Sequence, residues 1–192
     1  MTRKDPLLQA VLDAPDDPAP RLVYADWLED HGDPLGEFIQ IQSQLADLAP
    51  DDLRWPALVR RERELLALHE EQWVGPLRAL GAVRWGFRRG LVEEVTLDAE
   101  AFLGHAEALF RQAPVRRLTV RVRPGLLGDV LRSPALPRVT VLGFSWGGLG
   151  PGGVAALAGA PDWGACPSWT SRAPAWATPA PRPSPPPRAL PG

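Results

Sequence analysis

The chain has little cysteine and no long apolar run. Its 192 residues include a single cysteine, Cys166, so no internal disulfide can form, and this favours a reducing compartment. No stretch of eighteen apolar residues is present, which predicts no membrane span. Residues 1–17 lack the apolar centre and small-residue cleavage site of a signal peptide. These absences predict a cytoplasmic protein that does not enter a membrane.

The residues used for metal binding and nucleophilic catalysis are few and scattered. His69 and His105 stand apart from any cysteine or paired histidine, which argues against a zinc site. Ser145 lies in FSWG rather than in G-x-S-x-G, so no nucleophile elbow is predicted. The carboxylates between Asp26 and Glu37 match no calcium loop. We therefore expect no enzyme activity, cofactor, metal or small-molecule substrate.

The net charge of −2 conceals two halves of opposite sign. Residues 1–52 contain 12 Asp and Glu against 3 Lys and Arg, whereas residues 53–192 contain 11 against 18. The simpler interpretation is two solvated surfaces of opposite charge. The alternative is a basic face that binds an acidic partner.

Two amphipathic helices are predicted to meet at a tight corner within residues 19–42. Gly32 is expected to end the first helix, and Asp33 to cap the second, with Pro34 in its first turn. Arg21 is assigned to the solvent side of the first helix. Its buried face is predicted from apolar residues one helical turn apart: Val23, Tyr24, Trp27 and Leu28.

The same segment, RLVYADWLEDHGDPLGEFIQIQ, resembles the bacterial repeat-companion domain, a short module that stands ahead of leucine-rich repeats. The positions that match that family's pattern are Asp17, Arg21, Leu22, Val23, Tyr24, Ala25, Asp26, Trp27, Leu28, Glu29, Gly32, Asp33, Gly36, Glu37, Phe38 and Ile39. The resemblance implies an association with a repeat array, and it implies no reaction. We assign residues 1–48 to this helical module.

Other helices are predicted on both sides of this segment. A first helix is expected from Asp5, followed by a proline-rich linker, 13–20, that no helix crosses. Residues 49–80 are predicted as a helical connector with Pro56 in its first turn. Its packed face is expected to contain Leu58, Val59, Leu65, Leu66 and Trp73.

After Gly81 the apolar period changes from that of a helix to that of a strand. Alternating residues in 92–97, 115–123 and 139–145 predict three strands. Their anchors, Val95, Leu118 and Leu142, are 23 and 24 residues apart, within the range of about 20–29 for leucine-rich repeats. Helical stretches are predicted between the strands, with these apolar faces: Phe102, Ala106, Leu109 and Phe110, then Leu126, Leu127, Val130 and Leu131.

The segment after the third strand resembles the N-x-L-G-x-x-G-x-x-A-L-A pattern of ribonuclease-inhibitor-like repeats. The matching residues are Leu149, Gly150, Gly153, Ala156, Leu157 and Ala158, while Gly147 replaces the usual asparagine. The resemblance implies about three degenerate repeats within 81–161. The predicted fold is therefore α/β, a helical module followed by a short leucine-rich-repeat solenoid.

Residues 162–192 have a different composition from the rest of the chain. They contain no acidic residue after Asp162, and ten prolines lie between Pro161 and Pro191. We expect a disordered, proline-rich tail because this composition cannot form a core. It is either a genuine tail offering PxxP sites such as Pro183 to Pro186 or the product of a shifted reading frame.

The candidate site is the row of outward-facing residues on the predicted strands, because solenoid proteins bind partners on such faces. We expect a non-catalytic protein-interaction module whose partner is an unidentified, acidic protein. The predicted partner-binding residues are Glu94, Thr96, Asp98, Arg117, Thr119, Arg121, Arg123 and Ser145.

Two alternatives remain open. The glycines from Gly148 to Gly153 fit G-x-G-x-x-G, which would suit a nucleotide-binding enzyme, although no acidic residue follows about twenty positions on. The arginines of the second strand could instead bind nucleic acid. The acidic N-terminal half argues against that interpretation.

Overall fold

The computed structural model describes residues 4–49, 51–123, 125–146 and 168–170. Within these residues, every element before the first strand is a helix, and the rest combines strands with helices. The elements are α1 Lys4–Asp13, α2 Pro18–Asp30, α3 Leu35–Asp47, α4 Trp55–Ala79, β1 Ala82–Arg88, β2 Leu91–Asp98, α5 Ala99–Gln112, β3 Arg117–Val122, α6 Leu127–Leu131, β4 Val141–Trp146 and β5 Ser168–Thr170. The prediction of an α/β fold with a helical N-terminal part is confirmed.

The strands of the described residues form one sheet in chain order, from β1 to β5. β1 and β2 are antiparallel, and every later pair is parallel. The three predicted anchors are direct neighbours in the register, with Val95 opposite Leu118 and Leu118 opposite Leu142. The predicted strands and their spacing are therefore confirmed.

One face of this sheet is covered by helices. Leu118 and Val120 are almost fully buried, and they share one apolar cluster with Phe102 and Leu109 of α5 and with Val130 of α6. The predicted inward residues of the strands and the predicted apolar face of α5 are thus confirmed. On the other face, the alternate residues of β3, Arg117, Thr119 and Arg121, are exposed or half-buried.

The corner between α2 and α3 forms as predicted. Gly32 adopts a left-handed backbone with φ of 69°, which a side chain would oppose. The N–H of Asp33 donates to the Leu28 carbonyl and that of Gly32 to the Glu29 carbonyl, the bonding pattern of a Schellman motif. The Asp33 carboxylate then accepts from the Leu35 N–H at 3.1 Å, so it caps α3.

The predicted buried face of α2 is wrong at two positions. Val23 is 54% exposed, whereas Arg21, assigned to the solvent side, is only 1% exposed. The buried residues are Arg21, Tyr24, Ala25 and Leu28, spaced i, i+3, i+4 and i+7. The helical period is therefore respected, but an arginine occupies a position that the pattern reserves for an apolar residue.

The end of the first linker and the first strand of the sheet also differ from prediction. The linker 13–20 is shorter, because α2 starts at Pro18 with Asp17 as its N-cap, where proline is tolerated in the first turn. The strand β1 was not predicted. Ser168–Thr170 forms β5 and pairs with β4.

The predictions for Gly147, for Leu149 to Ala158 and for Cys166 lie outside the described residues, as does most of 162–192. Across the part that is described, no helix combines the length and apolar character that crossing a membrane would require.

Candidate functional site

The predicted partner-binding residues lie together on the face of the sheet that the helices leave open. We call this surface the open face. The structure aligns them in rows across the strands: Glu94 with Arg117, Thr96 with Thr119 and Gly143, and Asp98 with Arg121 and Ser145. Arg123 follows directly after β3. Because β2, β3 and β4 pair without a register shift, the alternation of side chains along each strand is enough to bring these residues together.

Arg117 and Arg121 of β3, and Arg123 directly after it, each lie beside a carboxylate. Arg121 donates from Nε and Nη2 to the two carboxylate oxygens of Asp98, at 2.8 and 2.9 Å. Arg123 lies 3.6 Å from Glu100 and Arg117 lies 3.7 Å from Glu94. Two carboxylates of β2 and Glu100 of α5 therefore neutralise much of the charge of these arginines, a pairing that the sequence reasoning did not consider.

The open face also contains residues of β1 that the sequence analysis missed. Arg84 lies opposite Thr96 and Gly86 opposite Glu94 in the antiparallel register. Arg88 donates from Nε to Glu94 Oε1 at 2.6 Å. The alternation of Arg84, Gly86 and Arg88 with apolar or aromatic residues was the available signal for a strand here.

A second polar cluster lies where the helical module meets the turn between β1 and β2. We call it the hairpin junction, and its residues are Arg21, Gln42, Gly90 and Glu93. Arg21 donates from Nη1 to the carbonyls of Arg88 and Arg89, at 2.9 and 3.1 Å. Its Nη2 donates to the Pro15 carbonyl at 3.1 Å and to Glu93 Oε1 at 2.8 Å. Four acceptors therefore saturate the two terminal nitrogens of one buried guanidinium.

Gly90 brings the hairpin against α3. Arg89 and Gly90 have φ values of 47° and 82°, the left-handed pair that a tight two-residue hairpin turn requires. A Cβ added to Gly90 would lie 2.2 Å from the Ile39 Cα. Gln42 Oε1 accepts from the Gly90 N–H at 2.7 Å, while its Nε2 donates to Glu62 of α4 at 2.7 Å. Arg21 of α2 and Ile39 and Gln42 of α3 thus hold the first hairpin of the sheet.

A cavity of about 600 Å³ opens beside this junction. Its wall combines apolar side chains, Trp55 and Val59 among them, with charged residues that include Arg21 and Glu93. The most deeply buried of these charges, Arg21, is already committed to the four acceptors described above. The polar side chains of this wall therefore hold the helical module against the β1–β2 hairpin.

The carboxylates of the α2–α3 corner are engaged by separate partners. Asp26 accepts from Gln40 at 3.0 Å, and Asp33 caps α3. Two hydrogen bonds from Arg61, at 2.7 and 2.8 Å, lower the pKa of Glu37. Among the described residues, no three His, Cys, Asp or Glu side chains gather as a metal site would require.

Comparison with protein families, with curated proteins and with solved structures returns no match to this chain. The open face and the hairpin junction are therefore interpreted from their own geometry.

Proposed function

We propose that this chain is a non-catalytic protein-interaction module that binds a cytoplasmic protein partner on the open face. In this proposal β2, β3 and β4, with their connections, are short leucine-rich repeats, and the helical module caps their first edge. The 27-residue step from Val141 to its register neighbour Ser168 supports the repeat interpretation, since it also lies within about 20–29 residues.

The observation that carries the proposal is the arrangement of the open face. Charged and hydroxyl side chains stand in rows on hydrogen-bonded strands, while the helices α5 and α6 pack on the opposite side. Strands hold such side chains at fixed spacings, which lowers the entropy cost of meeting a partner. A surface of this kind suits recognition of a complementary protein.

The two alternative functions gain no support from the described residues. The segment from Gly148 to Gly153 lies outside them. For nucleic acid, the carboxylates of Glu94 and Asp98 lie among the arginines, where they would repel a phosphate backbone.

A photocrosslinking experiment tests the proposal in cells that produce the protein. A photoreactive amino acid replaces Thr119, at the centre of the open face, or His105, which is exposed on the helical side. We expect a discrete protein adduct from position 119 and none of that mass from position 105. Mass spectrometry of the adduct then identifies the partner.

The opposite pattern would reject the proposal. If the same adduct forms from both positions, the partner is not bound specifically on the open face. If position 105 alone gives an adduct, the helical side is the binding surface. If the adduct at position 119 is nucleic acid, the protein-binding function is wrong.

A further inference from the structure

The positive charge of the open face is concentrated at its β1 end. The face and its borders contain five arginines, Arg84, Arg88, Arg117, Arg121 and Arg123, against three carboxylates, Glu94, Asp98 and Glu100. At the far end Arg121 is bound by both oxygens of Asp98, and Arg123 is near Glu100. Those two pairs leave no excess charge, so the excess belongs to the other three arginines.

One carboxylate serves two of these three arginines. Glu94 Oε1 lies 2.6 Å from Arg88 and 3.7 Å from Arg117, and both guanidinium groups are about half exposed. Arg84 is exposed and makes no ion pair with any residue that the structure describes. The local balance is therefore three cations to one anion.

A glycine stands in the middle of this group. Gly86 lies on β1 between Arg84 and Arg88 and opposite Glu94, and a Cβ there would come within 3.2 Å of the Glu94 Cβ. The Glu94 carboxylate lies over this glycine, since its Oε2 is 3.4 Å from the position of that Cβ, and Arg88 and Arg117 both lie beside it. We call this place the Gly86 notch, formed by Arg84, Gly86, Arg88 and Arg117.

We propose that the Gly86 notch is the docking point for an acidic segment of the protein partner, a peptide with closely spaced Asp or Glu side chains. The proposal rests on the proposed function and names the part of the open face that sets its specificity. Arg84 has no ion-pair partner among the described residues, and a peptide carboxylate beside Arg88 or Arg117 would share those guanidinium groups with Glu94. Charge complementarity of this kind selects partners and speeds their association.

A binding assay with a defined probe tests the notch. The probe is a fluorescein-labelled decaglutamate peptide, and its affinity is measured by fluorescence polarisation at about 0.1 M salt, where charges are screened beyond about 10 Å. We expect Arg84→Gln/Arg117→Gln to weaken binding about 5- to 10-fold, since an exposed charge pair contributes up to about 1 kcal/mol.

Two matched variants show whether the effect is local. Arg60→Gln/Arg63→Gln makes the same change of charge on the exposed side of α4, and Asp98→Asn/Arg121→Gln removes the closed pair of the open face. We expect each to change the affinity less than about 2-fold. The single variant Arg84→Gln, which breaks no ion pair among the described residues, should weaken binding about 2- to 3-fold and keep the wild-type melting temperature.

Several outcomes would overturn the inference. Equal losses in the Arg60/Arg63 variant would show non-specific attraction, and a larger loss in the Asp98/Arg121 variant would move the site to the other end of the face. If decaglutamate bound no better than a neutral Gly-Ser decapeptide, the Gly86 notch would have no preference for acidic peptides. Equally tight binding of a ten-residue thymidine oligonucleotide, lost in the same variants, would favour nucleic acid.

The two proposals can fail separately. An adduct at position 119 together with a negative result at the notch leaves the open face as the binding surface and rejects only the acidic docking point. The loss of that adduct rejects the proposed function whatever decaglutamate does.

Discussion

Arg21 at the hairpin junction and Arg121 on the open face make ion pairs of the same length in opposite environments. Each lies 2.8 Å from a carboxylate oxygen, Arg21 from Glu93 and Arg121 from Asp98. The exposed fraction of the side chain is 2% for Arg21 and 46% for Arg121. Distance is therefore a poor guide to what each pair contributes, because solvent screens the exposed pair and is excluded from the buried one.

The two pairs also connect different parts of the molecule. Arg121 and Asp98 lie on neighbouring strands that backbone hydrogen bonds already join. Arg21 reaches from α2 to three separate segments, the turn at Pro15, the hairpin turn at Arg88 and Arg89, and Glu93 of β2. The buried arginine therefore holds the helical module against the sheet, whereas the exposed arginine lies within a sheet that its own strands already hold together.

The largest expected effect is the loss of the buried arginine. We expect Arg21→Met to lower the free energy of unfolding by about 3–5 kcal/mol, because Glu93 and three carbonyls lose their donor inside the protein. Urea denaturation measures this loss in the free energy of unfolding. The matched change Arg121→Met should cost about 1 kcal/mol or less.

Equal losses of stability in Arg21→Met and Arg121→Met would show that burial does not distinguish the two ion pairs. The double variant Arg21→Met/Glu93→Leu gives a further check, since removing both partners of a buried pair is less costly than removing one. We expect it to recover part of the stability lost in Arg21→Met. A double variant less stable than the single would show that Glu93 has another role in the junction.

The next effect concerns the close approach of the hairpin to α3. Gly90→Ala should cost about 2–4 kcal/mol, because the added Cβ meets the Ile39 backbone and the positive φ disfavours alanine. Gly32→Ala is the matched control. Its φ is 69° and an added Cβ meets nothing within 4 Å, so we expect a cost of about 1 kcal/mol from backbone strain alone. Equal costs in thermal denaturation would mean that the hairpin can move away from α3.

The smallest expected effect is the loss of the exposed Arg61–Glu37 ion pair, which a change of pH can test. Arg61 lowers the pKa of Glu37 below its ordinary value of 4.5, so this pair stabilises the folded protein above pH 4.5 and its contribution is lost as the pH falls further. Both side chains are well exposed, so we expect a loss of only about 0.5 kcal/mol. An NMR titration should find the Glu37 midpoint below 4.5, returning towards 4.5 in Arg61→Gln. A midpoint that does not respond to Arg61→Gln would contradict the assignment.

The sequence was most informative where one local interaction decides the structure. The glycine at position 32 and the aspartate at 33 predicted the α2–α3 corner, because a left-handed stop and a side-chain cap each depend on a few neighbouring residues. Alternation predicted β2, β3 and β4, and their predicted anchors, 23 and 24 residues apart, lie opposite one another in the register. The eight predicted site residues follow from that alternation alone.

The errors fall where distant segments meet. Arg21 was assigned to solvent because an arginine on a helix usually lies there, and its acceptors at Arg88, Arg89 and Glu93 are more than 60 residues away in the chain. The strand β1 was missed although its residues alternate; what the alternation does not show is that Phe87 packs against Phe38 and Trp73 of two helices. The pairing of Arg117, Arg121 and Arg123 with carboxylates was missed because it depends on which side chains lie beside one another in the folded sheet.

The sequence by itself determined the helical corner, the strands β2, β3 and β4 and the side chains that these three strands present on the open face, because these follow from backbone period and short-range capping. Only the tertiary structure decided that Arg21 is buried, that Gly90 lies against Ile39 and that the excess positive charge gathers around Gly86. The physical reason is that burial and charge balance are properties of neighbours in space, and long-range packing brings those neighbours together.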